Sequence, residues 1–154
     1  MKQSLFAKTI GSLVLLVLLS FGSRVNATGP KSFGAHPYYL HALSDLRAAR
    51  WMIEHRPGDW AKTMDEIEAV NQIDAAIGEI KKAAIEDGKD IADHPRVDEV
   101  PDHAGRLHAA LDFLRKARQD ISHDEDNAFA QGLQGRAYMH IDAAINATKH
   151  AIHA

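Results

Sequence analysis

From residue 38 onward, apolar side chains return every three or four positions and nowhere alternate. Tyr39, Leu43, Leu46 and Ile53 form a first stripe, interrupted once by Arg50. That spacing gathers them on one face of a helix. Pro37 suits its first turn, and Arg56-Pro57-Gly58-Asp59 stops it. Thr63 with Glu66 reads as a capping box for a second helix. Its predicted buried face is Ile67, Val70, Ile73, Ile77, Ile80 and Ala84, and Gly88 is its natural C-terminal cap. A third stripe follows in Leu107, Leu111, Leu114 and Ile121, then an acidic turn from Ser122 to Asn127. A fourth runs through Leu133, Tyr138, Ile141, Ile145 and Ile152.

These helices are one pair written twice. Sixteen of the 43 positions from 42 to 84 recur unchanged 68 residues later. Leu43, Leu46, Arg47, Ala49, Arg50, Ile53 and His55 return as Leu111, Leu114, Arg115, Ala117, Arg118, Ile121 and His123. Beyond the loop, Ile73, Asp74, Ala76 and Ile77 return as Ile141, Asp142, Ala144 and Ile145. One offset held across a loop marks a duplicated unit. The expected fold is all-α, an antiparallel four-helix bundle built from two duplicated helical hairpins with their short loops on one end. Hairpin 1 covers 37–88, a polar linker 89–102, and hairpin 2 103–154. Within each hairpin, Asp74 stands within reach of Arg47 or Arg50, and Asp142 of the equivalent pair, as register-fixing ion pairs.

The first 27 residues belong to another function. Lys2 and Lys8 precede an apolar run from Ile10 to Phe21, and Val25-Asn26-Ala27 offers a cleavage site. Residues 1–27 therefore read as a signal peptide, and 28–36 as a flexible lead-in to the bundle. The expected location is periplasmic or secreted, with a membrane as partner only if that segment is retained. Its removal leaves 15 basic against 21 acidic residues, a net charge of −6. That balance excludes nucleic acid as a partner. With no cysteine in the chain, disulfides, thiolate metal sites and cysteine nucleophiles are excluded as well. Neither a nucleophile with its base nor a pair of catalytic carboxylates stands out, so no enzyme is expected.

Histidine is the candidate chemistry, with ten in the chain. In such a bundle helices 1 and 3 begin at the same end, so His36, His41, His94, His103 and His108 gather there, with His150 and His153 closing helix 4 at that end. The segments His36-Pro-Tyr-Tyr-Leu-His41-Ala and His103-Ala-Gly-Arg-Leu-His108-Ala share one pattern at an offset of 67. Converging imidazoles suit copper, zinc, nickel or iron. Without any metal, protonation of all ten would carry the charge from −6 toward +4 as pH falls through about 6.5.

The stretch His140-Ile-Asp-Ala-Ala-Ile-Asn-Ala-Thr-Lys-His150-Ala-Ile-His153 resembles the His-rich helical repeats of bacterial small metal-binding proteins. That resemblance implies an exported, cysteine-free bundle that buffers divalent metals. In outline the chain also looks like exported b-type four-helix cytochromes, which hold haem through one methionine and one histidine. Met52, Met64 and Met139 are not placed for that, so haem ranks below a simple metal. The expected function is non-catalytic binding of a transition metal through a histidine cluster at one bundle end, at His36, His41, His94, His103 and His108. The alternative is a metal-free structural or interaction module of an envelope assembly, with Trp51 and Trp60 toward the short-loop end as its contact patch.

Overall fold

The computed structural model describes residues 38–55, 61–96 and 105–154. The proposed signal peptide, the lead-in, His36, His103 and Trp60 lie outside them. Four helices account for most of these residues: α1 (Tyr38–Glu54), α2 (Met64–Glu86), α3 (Arg106–Asp120) and α4 (Ala128–His153). None of them is long and apolar enough to cross a membrane. Their boundaries follow local chemistry. Glu66 N–H donates to Thr63 Oγ1 at 3.2 Å and Thr63 N–H to Glu66 Oε2 at 2.7 Å, which completes the expected capping box. At the other end of α2, Gly88 takes φ +69°. Lys89 N–H reaches Ala84 O at 2.8 Å and Gly88 N–H reaches Ile85 O at 2.9 Å. This pair of bonds is a Schellman ending, which needs the left-handed conformation a glycine adopts without strain. Asn127 caps α4, its Oδ1 accepting from Phe129 and Ala130 N–H.

All four helices form one antiparallel bundle, but the two hairpins are inverted relative to each other. Call the end where α1 begins proximal and the end where it finishes distal. Tyr38, first in α1, stacks on His123, just past α3, with ring centroids 3.9 Å apart. Arg106, first in α3, donates to the carbonyl of Ile53 near the finish of α1 at 3.0 Å. Thus α1 and α3 run in opposite directions. His150, near the finish of α4, stands 4.0 Å from Asp65 at the start of α2, so α2 and α4 oppose each other as well. Each helix packs most extensively on its own copy, α1 on α3 and α2 on α4, and less on its hairpin partner. The expectation of both short loops on one end is therefore corrected: the α1–α2 turn is distal and the α3–α4 turn proximal. A crossover from Asp87 to Gly105 joins the finish of α2 at one end to the start of α3 at the other.

Small residues explain the preference of each helix for its copy. Ala42 and Ala49 in α1, repeated as Ala110 and Ala117 in α3, have no exposure at all. The same holds for Ala69, Ala76 and Ala83 in α2 and for Ala137 and Ala144 in α4. Each set recurs every seven residues, which keeps it on one seam. Around these seams the larger core side chains close: Leu43, Leu46, Ile53, Ile73, Ile80, Leu114, Ile121, Leu133 and Ile141 are fully buried. One predicted core position fails. Ile67 is 39% exposed, while Glu66 beside it is 1% exposed. The capping box turns the Glu66 carboxylate back over the helix start, into the bundle, and the neighbouring side chain outward. Leu40 and Ser44 are buried beyond the α1 stripe because the crossover runs over them: Ile91 packs on the core, and Ser44 shares a cleft with His94 and Pro95.

Charged side chains lace the helices externally. Arg50 Nε meets Asp74 at 2.7 Å and Arg118 Nε meets Asp142 at 2.5 Å, the same bridge in both copies. Arg118 additionally lies over the Tyr138 ring, 4.3 Å from its centroid. Both bridges are about half exposed and fix register more than they stabilise. Glu79 accepts from Arg136 across the α2–α4 seam at 2.9 Å, and from Lys82 one turn along α2 at 3.3 Å. Partial burial pushes the Glu79 pKa upward, but these two cations outweigh it and hold the carboxylate below its ordinary 4.5. A lowered folded-state value means stability present above that ordinary value and lost as pH falls through the folded one. Glu79→Gln is accordingly expected to flatten the acid limb of a plot of Tm against pH below about 4.5, with little change near neutrality. An unchanged acid limb would show that the bridge contributes nothing.

Candidate functional site

Inverting the hairpins separates the histidines. His41, in the first turn of α1, is proximal and half-buried; His108, in the first turn of α3, is distal and exposed. They do not face each other, which corrects the expected convergence. The one-residue slip in the shared His-x-x-x-Leu-His-Ala pattern adds to this. It rotates His108 by about 100° around its helix relative to His41. Under the 68-residue register, His108 corresponds to Leu40 and His41 to Ala109.

Three other described imidazoles are individually engaged. His94 Nδ1 accepts from the Arg47 guanidinium at 3.0 Å, so the lone pair a metal would need is taken and a fixed positive charge stands beside it. His55 Nδ1 donates to Trp51 O at 3.0 Å, and the His55 ring stacks on Trp51 at 4.3 Å. His140 Nδ1 bonds Gln72 Oε1 at 2.7 Å across the α2–α4 seam. His150 and His153 close α4 at the distal end, where their charge suits the helix terminus. Among the described residues, no three His, Asp or Glu side chains come together as a group able to hold a metal. Met64 and Met139 lie exposed on the surface.

Each end of the bundle instead carries a buried polar network. At the distal end, Arg106 donates to the Ile53 and Met52 carbonyls and pairs with the buried Glu66 carboxylate. One guanidinium thereby ties the finish of α1, the start of α2 and the start of α3. At the proximal end, the buried Tyr39 hydroxyl donates to Glu125, whose other oxygen accepts from Asn127 N–H at 2.9 Å. Burial first, then the Glu125 bond and the negative charges of Glu125 and Asp87, push the Tyr39 phenol far above its usual range. It therefore stays a donor. Lys89, nearly inaccessible, stands 3.7 Å from Asp87 where the crossover begins.

Arg106 was missed in the sequence, yet the repeat carries a hint of it. Glu66 corresponds to Gln134, whose amide donates directly to the Ile121 and His123 carbonyls at 2.7 and 2.6 Å. A carboxylate cannot donate, so hairpin 1 requires an arginine between Glu66 and the matching carbonyl of Ile53.

A cleft of about 400 Å³ opens beside the α3–α4 turn, lined in part by His123, Glu125, Gln134 and Tyr138. Glu125 and Gln134 there are already held in the bonds just described. The described serine and threonine hydroxyls are occupied too. Ser44, Ser122 and Thr148 donate to carbonyls of Leu40, Gln119 and Ala144, and Thr63 caps α2. The chain matches no protein family, no curated protein and no solved structure.

Proposed function

We propose that this chain is an exported, non-catalytic helical module that binds a protein partner at the distal end of hairpin 1. One observation carries the reading: large apolar side chains are exposed around the α1–α2 turn. Trp51 is 53% exposed near the finish of α1, and Met64 is 79% exposed at the start of α2. Ile67, one turn further, is also open to solvent. Tryptophan and methionine left uncovered near a helical turn favour an interface, where both are enriched and tryptophan is among the side chains that contribute most. Histidines spread over both ends, with His55, His94, His123 and His140 each on a local partner, support this alternative above a shared metal centre.

Photocrosslinking tests it. A benzoylphenylalanine at position 51 of the full chain, in its native envelope, is expected to give one adduct of fixed mass that Met64→Glu abolishes. The same probe at the exposed Met139 should give none. No adduct at position 51, or identical adducts at both positions, overturns the reading. Titration of the purified protein with copper and zinc supplies the other arm. Binding tighter than about 100 µM that His108→Ala removes would transfer the function to a transition metal at the distal end.

A further inference from the structure

The internal repeat provides its own control for a second site, beneath the crossover. A cleft of about 490 Å³ separates the crossover from α1, lined by Ser44, Arg47, Ala48, His94 and Pro95. That volume suits a small organic ligand better than a bare ion. Seven arginines fall among the described residues, and five are paired to carboxylates: Arg50 to Asp74, Arg106 to Glu66, Arg115 to Asp112, Arg118 to Asp142 and Arg136 to Glu79. Arg47 donates to an uncharged imidazole nitrogen instead. Arg96 follows Pro95 directly and is exposed.

Hairpin 2 shows what Arg47 lacks. Its counterpart Arg115 bonds Asp112 at 3.0 Å, one helical turn earlier. The residue 68 positions before Asp112 is Ser44. Where one copy supplies a carboxylate to its arginine, the other has a serine and an open cleft. Ser44 also turns its proton to Leu40 O at 3.1 Å, so it contributes space and no donor toward the cleft. The donors are the remaining Arg47 N–H groups and His94. With Nδ1 accepting, the neutral His94 ring carries its proton on Nε2.

We propose that this cleft binds a small ligand through a carboxylate or phosphate group, whose oxygens take the place on Arg47 that Asp112 takes on Arg115. The planar guanidinium fork fits either oxyanion. Calorimetric titration of the full chain with succinate and with inorganic phosphate tests the site, and the probe that binds identifies the headgroup. Saturable binding is expected, weakened about tenfold or more in Arg47→Gln, since a charge-assisted bond is lost. Ser44→Asp is expected to abolish it while retaining the helical circular dichroism, because the new carboxylate satisfies Arg47 from within. Arg115→Gln should bind as the parent does. No saturable binding of either probe, or full binding by Ser44→Asp, overturns the proposal.

Discussion

Replacing Arg106 with leucine is expected to cost about 3–5 kcal/mol of stability, the usual penalty for leaving a buried charge without its partner. For a domain of this size that corresponds to a fall in Tm of about 10 °C or more. Glu66 is 1% exposed, and Arg106 supplies a positive charge against its carboxylate at the distal end. Two carbonyls at the finish of α1 lose their donor at the same time. The second copy prescribes the remedy. Adding Glu66→Gln to Arg106→Leu removes the charge, retains the capping-box acceptor for Thr63 N–H, and supplies an amide for the Ile53 carbonyl, as Gln134 does for Ile121. The double variant is expected to regain more than half of the loss. Urea and thermal melts followed by circular dichroism measure both. A single variant within about 1 kcal/mol of the parent, or a double variant no better than the single, would show that Arg106 does not hold the distal end.

That arginine also marks where reading the sequence stops. Helix positions, the capping box at Thr63, the glycine ending at Gly88 and the bridges of Arg50 and Arg118 were all legible. Each depends on residues close in sequence or held at one fixed separation in both copies. The relative direction of the hairpins was not. A repeat offset shows that two units are alike and bury like faces. A translated copy and a copy inverted about a twofold axis satisfy it equally. Only positions where the copies differ report the orientation: Gln134 bonds carbonyls of its own hairpin, whereas Glu66 takes its arginine, Arg106, from the other. The histidine reading inherited the undetermined choice. His41 and His108 share a sequence pattern, yet an inverted hairpin sends them to opposite ends. Ile67 fell by a smaller margin, when the capping box gave its place in the core to Glu66.

The alanine seams offer the sharpest test of the inverted packing. Ala76→Leu and Ala144→Leu each add a branched chain at a position with no exposure, where α2 and α4 meet. Overpacking of this kind costs about 1–3 kcal/mol, occasionally more. Leucine and alanine both favour helix, so the loss would come from the seam and not from propensity. Ala75→Leu and Ala143→Leu are the matching controls, one position away and only partly buried. They should stay within about 0.5 kcal/mol of the parent. The two seam variants should lose similar amounts, because a twofold relation gives Ala76 and Ala144 the same surroundings: α2 sees α4 as α4 sees α2. Chemical denaturation of all four variants decides the matter. Seam variants as stable as their controls would remove the close α2–α4 approach. A large loss at one seam position with none at the other would remove the symmetry that relates the two hairpins.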